Sequence, residues 1–95
     1  MENKVLIKVL LPEADLDYDI FIPVNELVWK IKKMLIKSIS DLSGIKFSKN
    51  DYILINKDTG VIYENNQTII DTDIRNATEL FLDLLIINVK IHLIH

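Results

Sequence analysis

The chain has 95 residues, two glycines, two prolines and no cysteine, and 49% of it is apolar against 26% charged. That length suits one domain around a single small core, and the apolar fraction excludes a disordered chain. Without cysteine there is no disulfide staple, no thiolate nucleophile and no cysteine-based zinc site. Two glycines leave no material for a phosphate-cradling loop, and Met1-Glu-Asn-Lys lacks the basic start and apolar run of a signal peptide. The net charge of -3 is unevenly spread: residues 1–23 sum to -3, residues 24–49 to +4 and residues 50–83 to -5. An acidic body with one basic segment argues against nucleic acid as a partner. It leaves that segment open to an acidic protein or to anionic lipid.

Val5 to Leu11 is rich in β-branched and apolar residues and ends at Pro12, with Val5, Ile7 and Val9 on one face and Leu6 and Lys8 on the other. Pro12 to Asp17 is polar enough to turn the chain. Tyr18 to Pro23 alternates again, placing Tyr18, Ile20 and Ile22 on one side, so the two strands form an antiparallel hairpin. Asn25 suits an N-cap and Glu26 a first helical turn. The period then becomes helical: Leu27, Val28, Ile31, Met34, Leu35, Ile39 and Leu42 gather on one broad face, opposite Lys30, Lys33 and Lys37. Ser43-Gly44 ends the helix, glycine taking the left-handed conformation.

Tyr52 to Asn56 is the next strand, Lys57-Asp-Thr-Gly60 a tight turn with Gly60 at positive φ, and Val61 to Tyr63 a short return strand. Asn65 to Gln67 turns the chain once more. Thr68 to Ile74 leads to a last strand, Thr78 to Leu82, with Leu80 and Leu82 inward. The order is β-β-α-β-β-loop-β, without internal repeats or low-complexity stretches.

In a chain this short, that order resembles the ubiquitin-like β-grasp, an α+β fold whose mixed sheet packs on one helix. The later half carries the more specific likeness: Asn66-Gln-Thr-Ile-Ile-Asp-Thr-Asp-Ile74, then Arg75-Asn-Ala-Thr-Glu-Leu-Phe-Leu82. In it, Ile69 or Ile70 together with Ile74 plugs the bottom of the core. Within the superfamily the chain is similar to YukD/EsaB, small bacterial ubiquitin-like proteins of type VII secretion systems. The likeness spans residues 4–83 and is carried by hydrophobic spacing. It implies a cytoplasmic accessory protein that docks without covalent linkage onto membrane components of a secretion machine, recruited to the inner face of the cell membrane. A β-grasp interaction or regulatory module of an unrelated pathway is the alternative. Conjugation and sulfur transfer both need a terminal diglycine, and Asp83 to His95 contains no glycine.

Chemistry finds little support in the residues. Asp58-Thr-Gly60 is the aspartic protease triplet, but Lys57 precedes it where those enzymes carry apolar residues, and a β-turn explains it better. His92 and His95 lie on an alternating tail without a third ligand nearby. Asp15, Asp17 and Asp19 act as a solvated acidic edge that discourages edge pairing. Neither sequon, at Asn66 nor at Asn76, carries weight. No nucleophile–base pair appears, so the protein is expected not to be an enzyme and to use neither cofactor nor metal.

What remains is surface. Trp29 and Ile36, seven residues apart, project from the helix side opposite the core among Lys32, Lys33 and Lys37, the composition of a protein-binding hot spot. The competing account has Trp29 flat against the helix under a lysine stem or covered by the tail. A second candidate surface is the open sheet face, with Leu6, Lys8, Phe21 and Phe81, the face ubiquitin uses for recognition. Residues 84–95 form an apolar extension beyond the 1–83 domain, too short for a membrane span. They extend the last strand, fold onto the Trp29 side or pair with a second copy as a homodimer.

Overall fold

A computed structural model describes residues 3–47 and 51–84. Two strands, β1 (Lys4–Leu11) and β2 (Leu16–Pro23), precede the helix α1 (Val28–Ser43); β3 (Tyr52–Asn56), a 3-10 turn (Ile69–Asp71) and β4 (Glu79–Leu84) follow it. The sheet order is β2-β1-β4-β3. β1 runs antiparallel to β2 and parallel to β4, and β3 runs antiparallel to β4. The parallel pair joins the two halves of the chain, and α1 packs on one side of the sheet beneath it. This is the expected mixed sheet on one helix.

Alternation decides what the sheet buries. Ile7, Val9 and Leu11 from β1, Ile22 from β2, Leu54 from β3 and Leu80 and Leu82 from β4 all point at the helix and are buried. Val28, Ile31, Leu35 and Ile39 answer them from α1, and Ile69 and Ile74 close the bottom. Of the two isoleucines proposed for that plug, Ile69 is buried and Ile70 is 55% exposed.

Three expectations require correction. The helix begins after Leu27 and not at Asn25, and Leu27 makes no side-chain cap. The orphan N–H groups of the first turn find backbone partners instead: Val28 N–H donates to the Gln67 carbonyl at 2.8 Å and Trp29 N–H to Asn65 at 3.2 Å. In return Ile69 and Ile70 donate to the carbonyls of Glu26 and Val24 at 3.0 and 2.8 Å, so a distant loop replaces the capping residue. Leu42 is 66% exposed, because the last helical turn projects past the core-facing rows. Val61 to Tyr63 forms a single bridge, Ile55 with Ile62, and not a strand.

The termini of the other elements follow the sequence. Gly44 has φ 77° and its N–H donates to the Ser40 carbonyl at 2.9 Å. Gly60 has φ 76° and closes the turn onto the Asn56 carbonyl at 2.8 Å. β4 runs to Leu84, one residue past the expected domain boundary. The tail expectations, including the dimer and both histidines, fall on residues 85–95 and lie outside the described residues.

Candidate functional site

The pairing register assembles the open sheet face, the side turned from α1. Leu6 stands opposite Phe21, Lys8 between Asp19 and Glu79, and Leu10 between Asp17 and Phe81. Phe81 also faces Ile55, which in turn is bridged to Ile62. Directly paired residues share a face, so three rows cross the sheet. The first is apolar, Leu6 and Phe21, the latter 61% exposed. The second is charged: Lys8 Nζ lies 3.6 Å from Asp19 and 3.7 Å from Asp17, and Lys57 Nζ lies 3.1 Å from Glu79. The third begins at Asp17 and is apolar beyond it, through Leu10, Phe81, Ile55 and Ile62, the last 56% exposed. Leu6 and Leu10 are separated by about 13 Å at roughly 3.3 Å per strand residue.

The structure therefore brings Leu6, Lys8 and Phe21 together around one groove, with Asn76, Ala77 and Glu79 on its far wall, and sets Phe81 in a neighbouring row. Leu10, Ile55 and Ile62 were not anticipated. Alternation alone placed Leu10 and Ile55 outward, but only the parallel β1–β4 register shows that they adjoin Phe81. The groove wall is fixed by two hydrogen bonds to the Leu6 backbone: Leu6 N–H donates to the side-chain Oδ1 of Asn76 at 2.8 Å, and Ala77 N–H donates to the Leu6 carbonyl at 2.8 Å. Ala77 sits at φ 73°, a conformation that L side chains rarely adopt.

The helix surface is arranged differently from expectation. Ile36 is half-buried and packs against the core, so it does not stand on the helix back. It shares a hollow on the helix flank with Trp29, Lys32, Lys33, Tyr52 and Asn65. Trp29 is 40% exposed, and Lys30 and Lys33 both reach over its ring; the lysine cover and the exposed indole coexist. Lys37 lies apart, paired with Asp41 at 3.6 Å.

Asp58 occupies a turn as expected: Asn56 Oδ1 accepts the N–H groups of Asp58 and Thr59 at 2.9 and 3.1 Å. Asp17 and Asp19 share Lys8 as their counter-charge on the edge strand β2. Among the described residues no three metal-ligating side chains gather, and no helix is long and apolar enough to cross a membrane. One polar network lies at the bottom of the core. Tyr63 accepts from Asn56 Nδ2 at 3.1 Å and donates to Asp73 Oδ1 at 2.5 Å. Burial and the Asp73 carboxylate push its phenol up to about 12.

The fold is the ubiquitin-like β-grasp. No family model matches the chain, and no curated protein matches it in sequence. Solved structures do resemble it. The ubiquitin-like domain of the Mycobacterium tuberculosis type VII secretion system protein ECCD1 superposes with a TM-score of 0.67 at 10% identity, over 84% of this chain and 97% of that one. A chain of the MycP5-free ESX-5 inner membrane complex gives 0.64 at 15% identity over 87% of this chain, which spans only 21% of that larger one. A chain of a toluene 4 monooxygenase HD complex with the inhibitor 4-bromobenzoate gives 0.72 at 5% identity, covering 85% and 98%. At these identities the likeness is one of fold. The same fold is found in ubiquitin-like domains, among them that of ECCD1.

Proposed function

We propose that this protein is a non-conjugated ubiquitin-like adaptor, a cytoplasmic accessory or regulatory component of a bacterial type VII secretion system of the YukD/EsaB kind. It acts by non-covalent docking onto membrane subunits of the machine, which recruits it to the inner face of the membrane. The observation that carries this reading is the open sheet face. Two apolar rows flank a charged row whose ions are already paired, and their exposed members, Phe21 and Ile62, are not needed to fill the core. Such a patch, apolar with a polar divide, is the composition of a protein interface. The occurrence of the same fold in ECCD1 and in an ESX-5 inner membrane complex supports the choice of machine.

The test is a cross-linked pull-down from host membranes, read by mass spectrometry, with wild type and Phe21→Ser as baits. Enrichment of secretion ATPase or membrane-channel subunits by the wild type, and their loss with the variant, is the expected result. A second reading, a β-grasp regulatory module of an unrelated pathway, is favoured by the likeness to a monooxygenase-complex chain. Recovery of soluble enzymes of one pathway, without secretion subunits, would decide for it.

A further inference from the structure

The helix flank carries a chemistry that the open sheet face lacks. Trp29 is the single tryptophan of the chain, with the Lys30 and Lys33 ammonium groups 5.5 and 5.7 Å from its ring centre. Lys30 and Lys37 each meet a carboxylate one turn away, Glu26 at 3.8 Å and Asp41 at 3.6 Å. Lys32 and Lys33 have no carboxylate within contact distance among the described residues. Lys32 donates to the Tyr52 carbonyl at 2.7 Å, a neutral acceptor. Burial lowers its pKa from the ordinary lysine value, against a weaker opposing pull from Asp51. The two lysines, the indole, Ile36, Asp51, Tyr52 and Asn65 line one hollow, two cations against one carboxylate. A second hollow shares Lys32, Tyr52 and Asn65 and runs on to Ile62 and Glu64.

We propose that this groove, between α1 and the outer edge of β3, binds an acidic peptide segment of a partner protein. A carboxylate seats between Lys32 and Lys33, and a neighbouring apolar side chain lies on Trp29 and Ile36. Charge complementarity carries the choice of occupant. A carboxylate replaces the neutral partner of a half-desolvated ammonium by a charge-assisted hydrogen bond, and the indole supplies the rigid aromatic anchor on which binding energy concentrates. The same walls disfavour a flat anionic bilayer: Asp51 and Glu64 stand beside the lysines, and a peptide can set neutral residues against them where a continuous anionic surface cannot. The groove meets the open sheet face only at Ile62 and lies apart from Phe21 and Leu6, so the inference stands whichever pathway the protein serves.

Trp29 reports on its own site. The full-length protein is screened against an array of nine-residue peptides built from glutamate, aspartate, leucine and phenylalanine, with the corresponding amide peptides as controls. The best acidic binder is then titrated in solution by tryptophan fluorescence. We expect a saturable change that is at least about tenfold weaker with the amide peptide and with Lys33→Gln, restored by Lys33→Arg and unaffected by Phe21→Ser on the other surface. Lys33 is exposed, so its variants should keep the fold, which circular dichroism checks. Equal binding of amide peptides, no saturable response to any acidic peptide, or a response only to phosphatidylglycerol vesicles would overturn the inference.

Discussion

The two faces of the sheet are built from similar residues and have different fates. On the inner face Ile7, Val9, Leu54 and Leu80 are at most 1% exposed, while on the open face Leu6 is 36% and Phe21 61% exposed. Alternation along each strand separates the two sets, yet an antiparallel sheet with one solvated face usually alternates apolar with polar. Here the outward positions are apolar too, interrupted by one row of ion pairs. Burial of apolar area stabilises the fold only where a second layer covers it. The outward apolar residues therefore contribute little to folding and remain free for a partner to cover.

The largest expected effect lies on the inner face. Leu80→Ala removes a fully buried side chain between Val9 and Asn56 on the central strand β4. It should cost about 3 kcal/mol in urea denaturation, a large fraction of the stability of so small a domain. A loss below about 1 kcal/mol would mean that the core closes around the gap, and the contrast between the faces would weaken.

The next effect tests the place where the inner face turns polar. Tyr63→Phe leaves Asn56 and Asp73 without the phenol between them and should cost about 1 kcal/mol at neutral pH. The phenol is held above its usual value of 10.0, at about 12 in the folded protein. Its stabilisation is therefore complete below the unfolded value and is lost as pH rises through the folded one. Wild type minus variant stability should accordingly shrink between pH 10 and about 12; a difference independent of pH in that window would contradict the network.

Much of this was legible beforehand. The hairpin, the buried helix stripe and the leucines of β4 follow from strict periods of two and 3.6, which are properties of neighbouring residues. What escaped were features made by pairing distant segments. The helix start is capped by carbonyls of Asn65 and Gln67, some forty residues away in the chain, so no residue near Asn25 announced it. Likewise the row Leu10, Phe81, Ile55 and Ile62 exists only through the β1–β4 register. Leu42 kept the helical period but not the core, since a period says which side a residue faces and not how far the opposing layer extends.

On the open face, Phe21→Ser should cost under about 1 kcal/mol, the worth of one cross-strand pair with Leu6, while removing the exposed anchor proposed for partner binding. A thermal melt and the pull-down separate the two effects. A loss as large as that of Leu80→Ala would show that something in the full chain covers Phe21, and the face would not be open.

The smallest effect sharpens the comparison at the groove wall. Ala77 holds φ 73° because its N–H must reach the Leu6 carbonyl while Thr78 N–H closes the turn onto Arg75 at 3.1 Å. A left-handed alanine costs about 1–2 kcal/mol in the folded state. Glycine would relieve that cost but lose about 0.4–1 kcal/mol to the greater freedom of its unfolded chain. Ala77→Gly should therefore stabilise by about 0.5 kcal/mol, seen as a small rise in melting temperature. Destabilisation would mean that the methyl group packs against the groove, which would make Ala77 part of the apolar surface and not merely its hinge.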